Sequence, residues 1–383
     1  MHGMADYGLT DEQKMMRESV LGLLQRVLPD EKVQQLDEAG EFPHEAYRTL
    51  AAEGWMALPF EEKYGGMNAS YADLAIFIET IAYHWSGISS AYLTTVTLGG
   101  GHIKLYGNDE QKAEFIPRII SGEIKTAFSL TEPGAGSDAA AIQTRAERRG
   151  NEWVINGSKV YTTGAHVADY LVVATKTDPS AGHRGMTQFI VDTKQEGLTI
   201  RPLRQLGRRS VHTNEVFFQD VVVPARHMLG EENKGWHNLM LGLNLERLII
   251  AATHCGNCQR IIDYVKGYAL ERKQFGQPIT KFQAIAHKMA DMQIMAEQAR
   301  LITYKVAQMM DDGLRPVQET AMAKVIATEN NVRIADHGMQ IMGGAGYMMD
   351  HAMQMHYRDC RIGPIGGGSN EIQRTVIAKT MGL

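Results

Sequence analysis

The sequence has only three cysteines in 383 residues. Three thiols cannot build a paired disulfide framework, and a reducing cytoplasm is the expected compartment. An unbroken apolar run of membrane-spanning length is also missing. The best stretch, Leu239 to Ala252, is interrupted by Asn244, Glu246 and Arg247, so no membrane insertion is expected. The opening Met1-His2-Gly3-Met4-Ala5-Asp6 has no basic region leading into an apolar one, and no secretory signal is read there. Excess positive charge is lacking as well. Lysine and arginine number 39 against 44 aspartates and glutamates, a formal net charge of −5, which argues against a nucleic-acid binder that works by general charge. The 14 histidines show no pair flanking a glutamate on one helix face, so no metal site is expected. What is there is a globular composition, 44% hydrophobic and 22% charged, in a chain long enough for two or three domains.

The hydrophobic period divides the chain. Thr10 or Asp11, followed by early acids, reads as a helix start, and Val20, Leu21, Leu23, Leu24 and Val27 continue at helical spacing. The same spacing runs through Phe42 to Trp55, Tyr71 to Tyr83 and Ser86 to Tyr106. In the last of these, Gly99-Gly100-Gly101 weakens the helix or lets another backbone approach. From about residue 124 the period changes. Glu152 to Tyr161 reads as a hairpin on Asn156-Gly157. Tyr170 to Thr175, Met186 to Val191 and Glu215 to Val223 read as further strands, closed by Pro224, and predict a small sandwich or barrel. After about residue 235 helical spacing returns. Ile261, Ile262, Val265 and Tyr268 share a face, Phe282 to Ala299 and Leu301 to Asp311 read as long helices, and Gly313 and Pro316 mark a connection. The expected class is multidomain α+β, divided as 1–123, 124–232 and 233–383.

Three constellations carry chemistry. The first is Leu130-Thr131-Glu132-Pro133-Gly134-Ala135-Gly136-Ser137-Asp138. Its glycines allow close backbone approach, and Thr131 and Ser137 offer hydroxyls. A ligand loop and a plain turn are equally compatible with those residues alone. The second, Gln340 to Tyr347, sets Gly343 and Gly344 in helical sequence. It lacks the strand and spacing of the dinucleotide fingerprint, and close helix packing is a serious alternative. The third is Glu246 among Leu243, Leu245, Leu248, Ile249 and Ile250. Burial would raise its pKa toward the range of a general base, although a structural ion pair is the simpler reading of the residue by itself. Cys255 and Cys258 have the spacing of a redox or metal pair. With Cys360 the only other thiol and Gln259 following, they read as packing residues.

Together the first two constellations resemble the signatures of the acyl-CoA dehydrogenase family. The likeness covers nearly the whole chain, from Asp11-Glu12-Gln13 to Glu371-Ile372-Gln373-Arg374. It also rests on Arg272-Lys273-Gln274-Phe275-Gly276, Phe282-Gln283 and Gln340-x-x-Gly343-Gly344. The resemblance implies an N-terminal α-helical domain, a middle β-sandwich or barrel domain and a C-terminal four-helix bundle. It implies FAD as cofactor and a homotetramer, a dimer of dimers. FAD contacts are then expected at Phe128, Leu130, Thr131, Gly136 and Ser137, and at Tyr161, Thr162 and Thr163, with the Thr163 hydroxyl near flavin N5. Arg272, Phe275 and Gln283 would hold the pyrophosphate and adenine side. Gln340, Gly343 and Gly344 would reach the FAD of a neighbouring subunit, and Ser369, Asn370 and Glu371 would form the last contacting turn. Acyl-CoA contacts fall on Ser137, Asn244, Leu245, Arg247, Gly367 and Gly368.

Many members of the family carry the catalytic glutamate in the C-terminal glycine segment, at the position of Gly367. A subgroup that includes isovaleryl-CoA dehydrogenase carries it on a helix in a Leu-Glu-Arg context, which Glu246 matches. The resemblance thus makes Glu246 the base instead of half of an ion pair. The implied reaction is α,β-dehydrogenation of an acyl-CoA thioester to a trans-2-enoyl-CoA in fatty-acid or branched-chain amino-acid catabolism. Glu246 would take the α-proton, the β-hydride would go to flavin N5, and electrons would pass to an electron-transferring flavoprotein. An oxidase that uses oxygen, and a flavin-binding scaffold without turnover, are the alternatives.

Overall fold

The computed structural model describes residues 8–383. Seven helices open the chain: α1 (Asp11–Val27), α2 (Asp30–Ala39), α3 (His44–Ala52), α4 (Tyr71–His84), α5 (Ser86–Tyr92), α6 (Gly101–Tyr106) and α7 (Asp109–Ile120). Thr10 caps the first. Its hydroxyl accepts from the Gln13 N–H at 3.2 Å, and the Gln13 side chain accepts from the Thr10 N–H at 3.1 Å, so two orphan donors are satisfied reciprocally. From Leu74 to His84 every residue of α4 is buried, mostly apolar but with Glu79, Thr80 and His84 among them. Between α5 and α6, Leu93–Gly100 winds as a π-helix, a form concentrated at functional sites. A Cβ on Gly99 would overlap the Thr126 side chain. The glycine run therefore admits a neighbouring backbone, that of the first strand.

The strands are β1 (Thr126–Ser129), β2 (Arg145–Arg149), β3 (Glu152–Thr163), β4 (Tyr170–Lys176), β5 (Met186–Asp192), β6 (Leu198–Pro202), β7 (Thr213–Pro224) and β8 (Met228–Leu229). They form one sheet in the order β6-β7-β3-β2-β4-β5-β8, with β1 parallel to β4. β2 and β4 meet only at Arg145 and Lys176. The two halves joined there share a core, Trp153, Ile155, Phe218 and Val221 against Leu171, Val173, Phe189 and Val191, in the manner of a sandwich. The hairpin expected at Asn156-Gly157 is absent, because β3 runs straight through it. The turn lies earlier, at Gly150-Asn151, where Arg149 pairs with Glu152. Gly157 instead occupies a bulge at φ +144°, where a Cβ would stand 2.7 Å from the Thr144 Cα. A bulge pressed against the chain that enters the neighbouring strand β2 demands the same small residue as a turn.

The remainder is α8 (Gly235–Glu271), a two-strand ribbon of β9 (Lys273–Gln274) and β10 (Gln277–Pro278), then α9 (Gln283–Asp311), α10 (Val317–Met342), α11 (Gly344–Tyr347), α12 (Met353–Cys360) and α13 (Asn370–Thr380). The two helices read over 282–311 are one, α9. Arg300 interrupts its apolar pattern yet points inward, with Nη2 2.8 Å from Glu79 Oε1 on α4. Helices α4 and α8 cross at Gly256, whose Cβ would collide with the Glu79 carbonyl. Cys255 and Cys258 flank that crossing, buried and unbridged, and burial raises both thiol pKa values. They are packing residues, as their spacing context implied. Among the described residues no helix is long and apolar enough to cross a membrane.

Candidate functional site

The ends of β1 and β3 deliver the first group of predicted residues to one edge. The Val160 N–H donates to the Thr131 carbonyl at 2.8 Å, and the Ser129 and Thr162 hydroxyls bond at 2.8 Å. Beneath the loop between them lies Lys159, which sequence reasoning missed. Its side chain is fully buried and donates to the Leu130 carbonyl at 2.9 Å and to Glu132 Oε1 at 2.8 Å. Glu132 also accepts from the N–H groups of Gln143 and Thr144, at 2.6 and 2.9 Å. Burial pushes the Lys159 pKa down to about 8, against the opposing pull of Glu132. Burial works against the charge of Glu132 too, but Lys159 and those hydrogen bonds hold its pKa below the ordinary value.

This scaffold leaves its outer face open. Thr131 and Thr163 are half-buried, and Gly136 and Ser137 are exposed. Nothing lies within 4 Å of a Cβ on Gly134 or Gly136. Tyr161 is 66% exposed and held at φ +60°, and Asn214 Oδ1, buried on the strand paired with Thr162, has no hydrogen-bond partner among the described residues. An uncovered aromatic, open glycines and an unpartnered amide oxygen fit a flat polar ring that lies along β1 and β3. The Phe128 ring turns elsewhere. It stacks on His102, centroids 4.1 Å apart.

The second group forms around α8. Part of the Glu246 side chain stays accessible, while burial of the carboxyl raises its pKa, opposed by Arg247 and Lys324. Among the described residues no ion pair within 4.0 Å engages it, so the structural ion pair that its sequence context allowed is not formed. Gly367 faces this carboxylate, and both it and Gly368 have positive φ, +64° and +80°. A Cβ on Gly367 would stand 3.5 Å from Glu246 Oε1 and would run into Ile250 Cδ1. Arg247 is buried with its Nε unpartnered, and its Nη1 lies 3.5 Å from Asn244 Oδ1. Leu245 turns to the main core. Ser369 caps α13, Asn370 is buried, and Glu371 is exposed.

His102 joins the two groups. One face stacks on Phe128, and its Nε2 lies 3.6 Å from where a Gly242 Cβ would be, one turn before Glu246. Its Nδ1 lies 3.2 Å from Gln188 Oε1, and burial lowers its pKa to about 4, so it is neutral packing at physiological pH. The third set stays apart. Arg272, Phe275, Gln283, Gln340, Gly343 and Gly344 are all exposed. Phe275 is 93% exposed at φ +51°, and its ring contact among the described residues is with Phe282. No hydrogen bond or ring contact among the described residues joins these six to Tyr161 or Glu246.

Known proteins give the arrangement a context. Three family models match in succession: the acyl-CoA dehydrogenase N-terminal domain over residues 10–123, the middle domain over 127–221 and the C-terminal domain over 233–382. The chain is 38% identical to 3-(aryl)acrylate reductase of Clostridium sporogenes, over 91% of this chain and 92% of that protein. It is 37% identical to the caffeyl-CoA reductase-Etf complex subunit CarC of Acetobacterium woodii, over 96% of this chain and 98% of that one. Its fold superposes on butyryl-CoA dehydrogenase from Megasphaera elsdenii with a TM-score of 0.94 at 33% identity, covering 99% and 100% of the two chains. A sheet module set between two helical ones, matched part by part along its length, means that the chain belongs to the acyl-CoA dehydrogenase family of FAD-dependent oxidoreductases acting on a CH–CH bond.

Proposed function

We propose that Glu246 is the base that removes the α-proton of an acyl-CoA thioester. The supporting observation is its unpaired, desolvated carboxylate, 3.5 Å from the start of any side chain at Gly367. An ordinary carboxylate is too weak for an α-proton, so the thioester oxygen needs preorganised donors as charge develops on it. The N–H groups of Gly367 and Gly368 have no acceptor among the described residues and are the donors within this turn. FAD, when bound, accepts the hydride from the β-carbon. In this reading Thr131, Gly136, Tyr161, Thr162 and Thr163 position the ring, and Ser137, Asn244 and the buried Arg247 meet the thioester ligand. A base on α8 would be the placement of the isovaleryl-CoA dehydrogenase-like subgroup, and the Leu-Glu-Arg context of Glu246 supports that assignment.

The exposed Arg272, Phe275, Gln283, Gln340, Gly343 and Gly344 would complete a cofactor site across subunits, which fits a homotetramer. A relative named for its Etf complex supports an electron-transferring flavoprotein as partner, and three buried free thiols fit a cytoplasmic setting. Domain divisions at 123/124 and 232/233 fall in the links between α7 and β1 and between β8 and α8. Both relatives above are named as reductases. Glu246 is equally placed to return a proton to an enoyl-CoA, and the electron partner would then decide the direction.

The test is an anaerobic titration of the FAD-loaded protein with butyryl-, isobutyryl-, isovaleryl-, octanoyl-, palmitoyl- and 3-phenylpropionyl-CoA, following the visible flavin band. Bleaching by one member establishes dehydrogenation and the acyl class. Reoxidation of the dithionite-reduced protein by the matching enoyl-CoA reports the reverse direction. No response from a demonstrably bound flavin in either experiment would refute the reading.

A further inference from the structure

Lys324 is fully buried on α10, and no carboxylate lies within ion-pair distance of it among the described residues. An ammonium removed from water costs several kcal/mol unless its surroundings compensate. Here the compensation is two oxygens, the Gly368 carbonyl and Asn370 Oδ1, each 2.9 Å from Nζ. Asn370 is itself fixed. Its side-chain amide donates to Thr328 Oγ1 at 3.1 Å and Glu329 Oε1 at 3.2 Å, and its backbone N–H donates to the Pro364 carbonyl at 2.9 Å. Gln373 Nε2 adds bonds to the Gly367 and Gly368 carbonyls at 3.3 and 3.0 Å.

The carbonyls at 367 and 368 are therefore drawn toward α10 and α13. In a planar peptide the C=O of one residue opposes the N–H of the next, so these bonds fix the direction of the Gly368 and Ser369 N–H groups and hold the turn behind Gly367. Glycines at positive φ would otherwise leave it mobile. A neutral donor could hold a carbonyl equally well. A buried charge does something more. It sets a positive potential at the turn, low in screening, where negative charge sits first on Glu246 and then on the thioester oxygen.

We infer that Lys324 is a positioning residue for thioester activation. It anchors the glycine turn at its Gly368–Ser369 peptide, next to the free N–H groups that receive the thioester oxygen, and it supplies the field that holds both the Glu246 carboxylate and the enolate. This rests on the assignment of Glu246 as base. The charged groups around Lys324 are Glu246 and Arg247 on α8, Glu329 on its own helix and Glu371 on α13. Of these, Glu246 and Lys324 act on each other at longer range, since Lys324 also lowers the Glu246 pKa.

The experiment compares Lys324→Met, Lys324→Gln and Glu246→Gln with the unmodified holoenzyme. The acyl-CoA is the one that bleaches the flavin of the unmodified protein. Flavin content, melting temperature and the single-turnover bleaching rate are measured from pH 5 to 9. Lys324→Met at full flavin loading is expected to bleach about ten- to a thousandfold more slowly at saturating substrate. Its lower pH limb should move to higher pH, because the charge that held the Glu246 carboxylate down is gone. Lys324→Gln keeps a donor for Gly368 without the charge, and serves if the methionine variant does not fold. Its limb should move likewise, with a smaller loss of rate. A merely structural lysine would lower the melting temperature or the flavin content and leave the limb in place. An unmoved limb in a loaded variant overturns the inference, as does an unchanged rate. Normal bleaching by Glu246→Gln would instead overturn the base assignment on which it rests.

Discussion

Moving the base is the sharpest test of the site. Glu246→Gln should keep FAD and slow bleaching by about a thousandfold, the scale of a lost general base, or roughly 4 kcal/mol at 1.36 kcal/mol per decade. The geometry then says where a second carboxylate could serve. A side chain at Gly367 would begin 3.5 Å from the lost oxygen, and the atom in its way is the terminal Cδ1 of Ile250, the far end of a flexible chain. Ile250→Val removes that atom at a cost of about 1 kcal/mol. A glutamate at φ +64° adds about 1–2 kcal/mol of backbone strain. The combined 2–3 kcal/mol lies within the stability of an ordinary domain. The triple variant Glu246→Gln, Ile250→Val, Gly367→Glu should therefore fold, melt lower, and recover at least about tenfold in rate over Glu246→Gln. The assay is anaerobic stopped-flow bleaching at saturating acyl-CoA. Glu246→Gln within tenfold of the unmodified rate would refute the base assignment. A triple variant that is loaded, binds substrate and remains as slow as Glu246→Gln would refute the geometric reasoning.

Three further outcomes follow from the structure. The Glu246 pKa is raised above 4.5 by burial, so the folded chain holds the proton more tightly than the unfolded one, and that stability is lost as pH rises through the raised value. Thermal melts should accordingly show Glu246→Gln more stable than the unmodified protein at neutral pH and equal to it near pH 4. Lys159→Met leaves Glu132 buried without its cation and should cost about 3–5 kcal/mol. In denaturant titrations the double variant with Glu132→Gln should lose less than the sum of the single ones, and additive losses would show that the pair is not coupled. Gly256→Ala meets the Glu79 carbonyl and the Tyr83 N–H, backbone that cannot swing aside. About 3 kcal/mol of lost stability is expected, and an unchanged melting temperature would count against the crossing described for α4 and α8.

Periodicity carried most of the architecture. Helical spacing found α1 and α4, and short apolar runs between turn residues found β4, β5 and β7, because in each the buried positions repeat without interruption. It failed at Asn156-Gly157, where a bulge and a turn call for the same residues and only the closeness of Thr144 distinguishes them. It failed again at Arg300, whose inward turn depends on Glu79 far away in sequence. Within the site the glycine loop and Glu246 were visible as anomalies against their neighbours. Lys159 and Lys324 were not singled out, although Lys324 lies in Ala321-Met322-Ala323-Lys324-Val325-Ile326-Ala327, a charged residue in an apolar frame of the kind that drew attention to Glu246. Each is held by one main-chain carbonyl and one side chain far away in sequence, the carboxylate of Glu132 for Lys159 and the amide of Asn370 for Lys324, and such distant pairings leave no local signature.

The 37 residues of α8 have a consequence for how this chain can change over time. Glu246 and Gly256 lie on one uninterrupted rod, with Arg272 as its C-cap. Deleting or inserting a single residue between them would turn one end by about 100° and slide it about 1.5 Å against the other. Glu246 would leave the glycine turn, or Gly256 would leave its crossing with α4. Seven residues, nearly two full turns, would restore the angle but displace the end by about 10 Å. Side chains along this span can drift, whereas its length is fixed, and descent here should proceed by replacement and never by gaps.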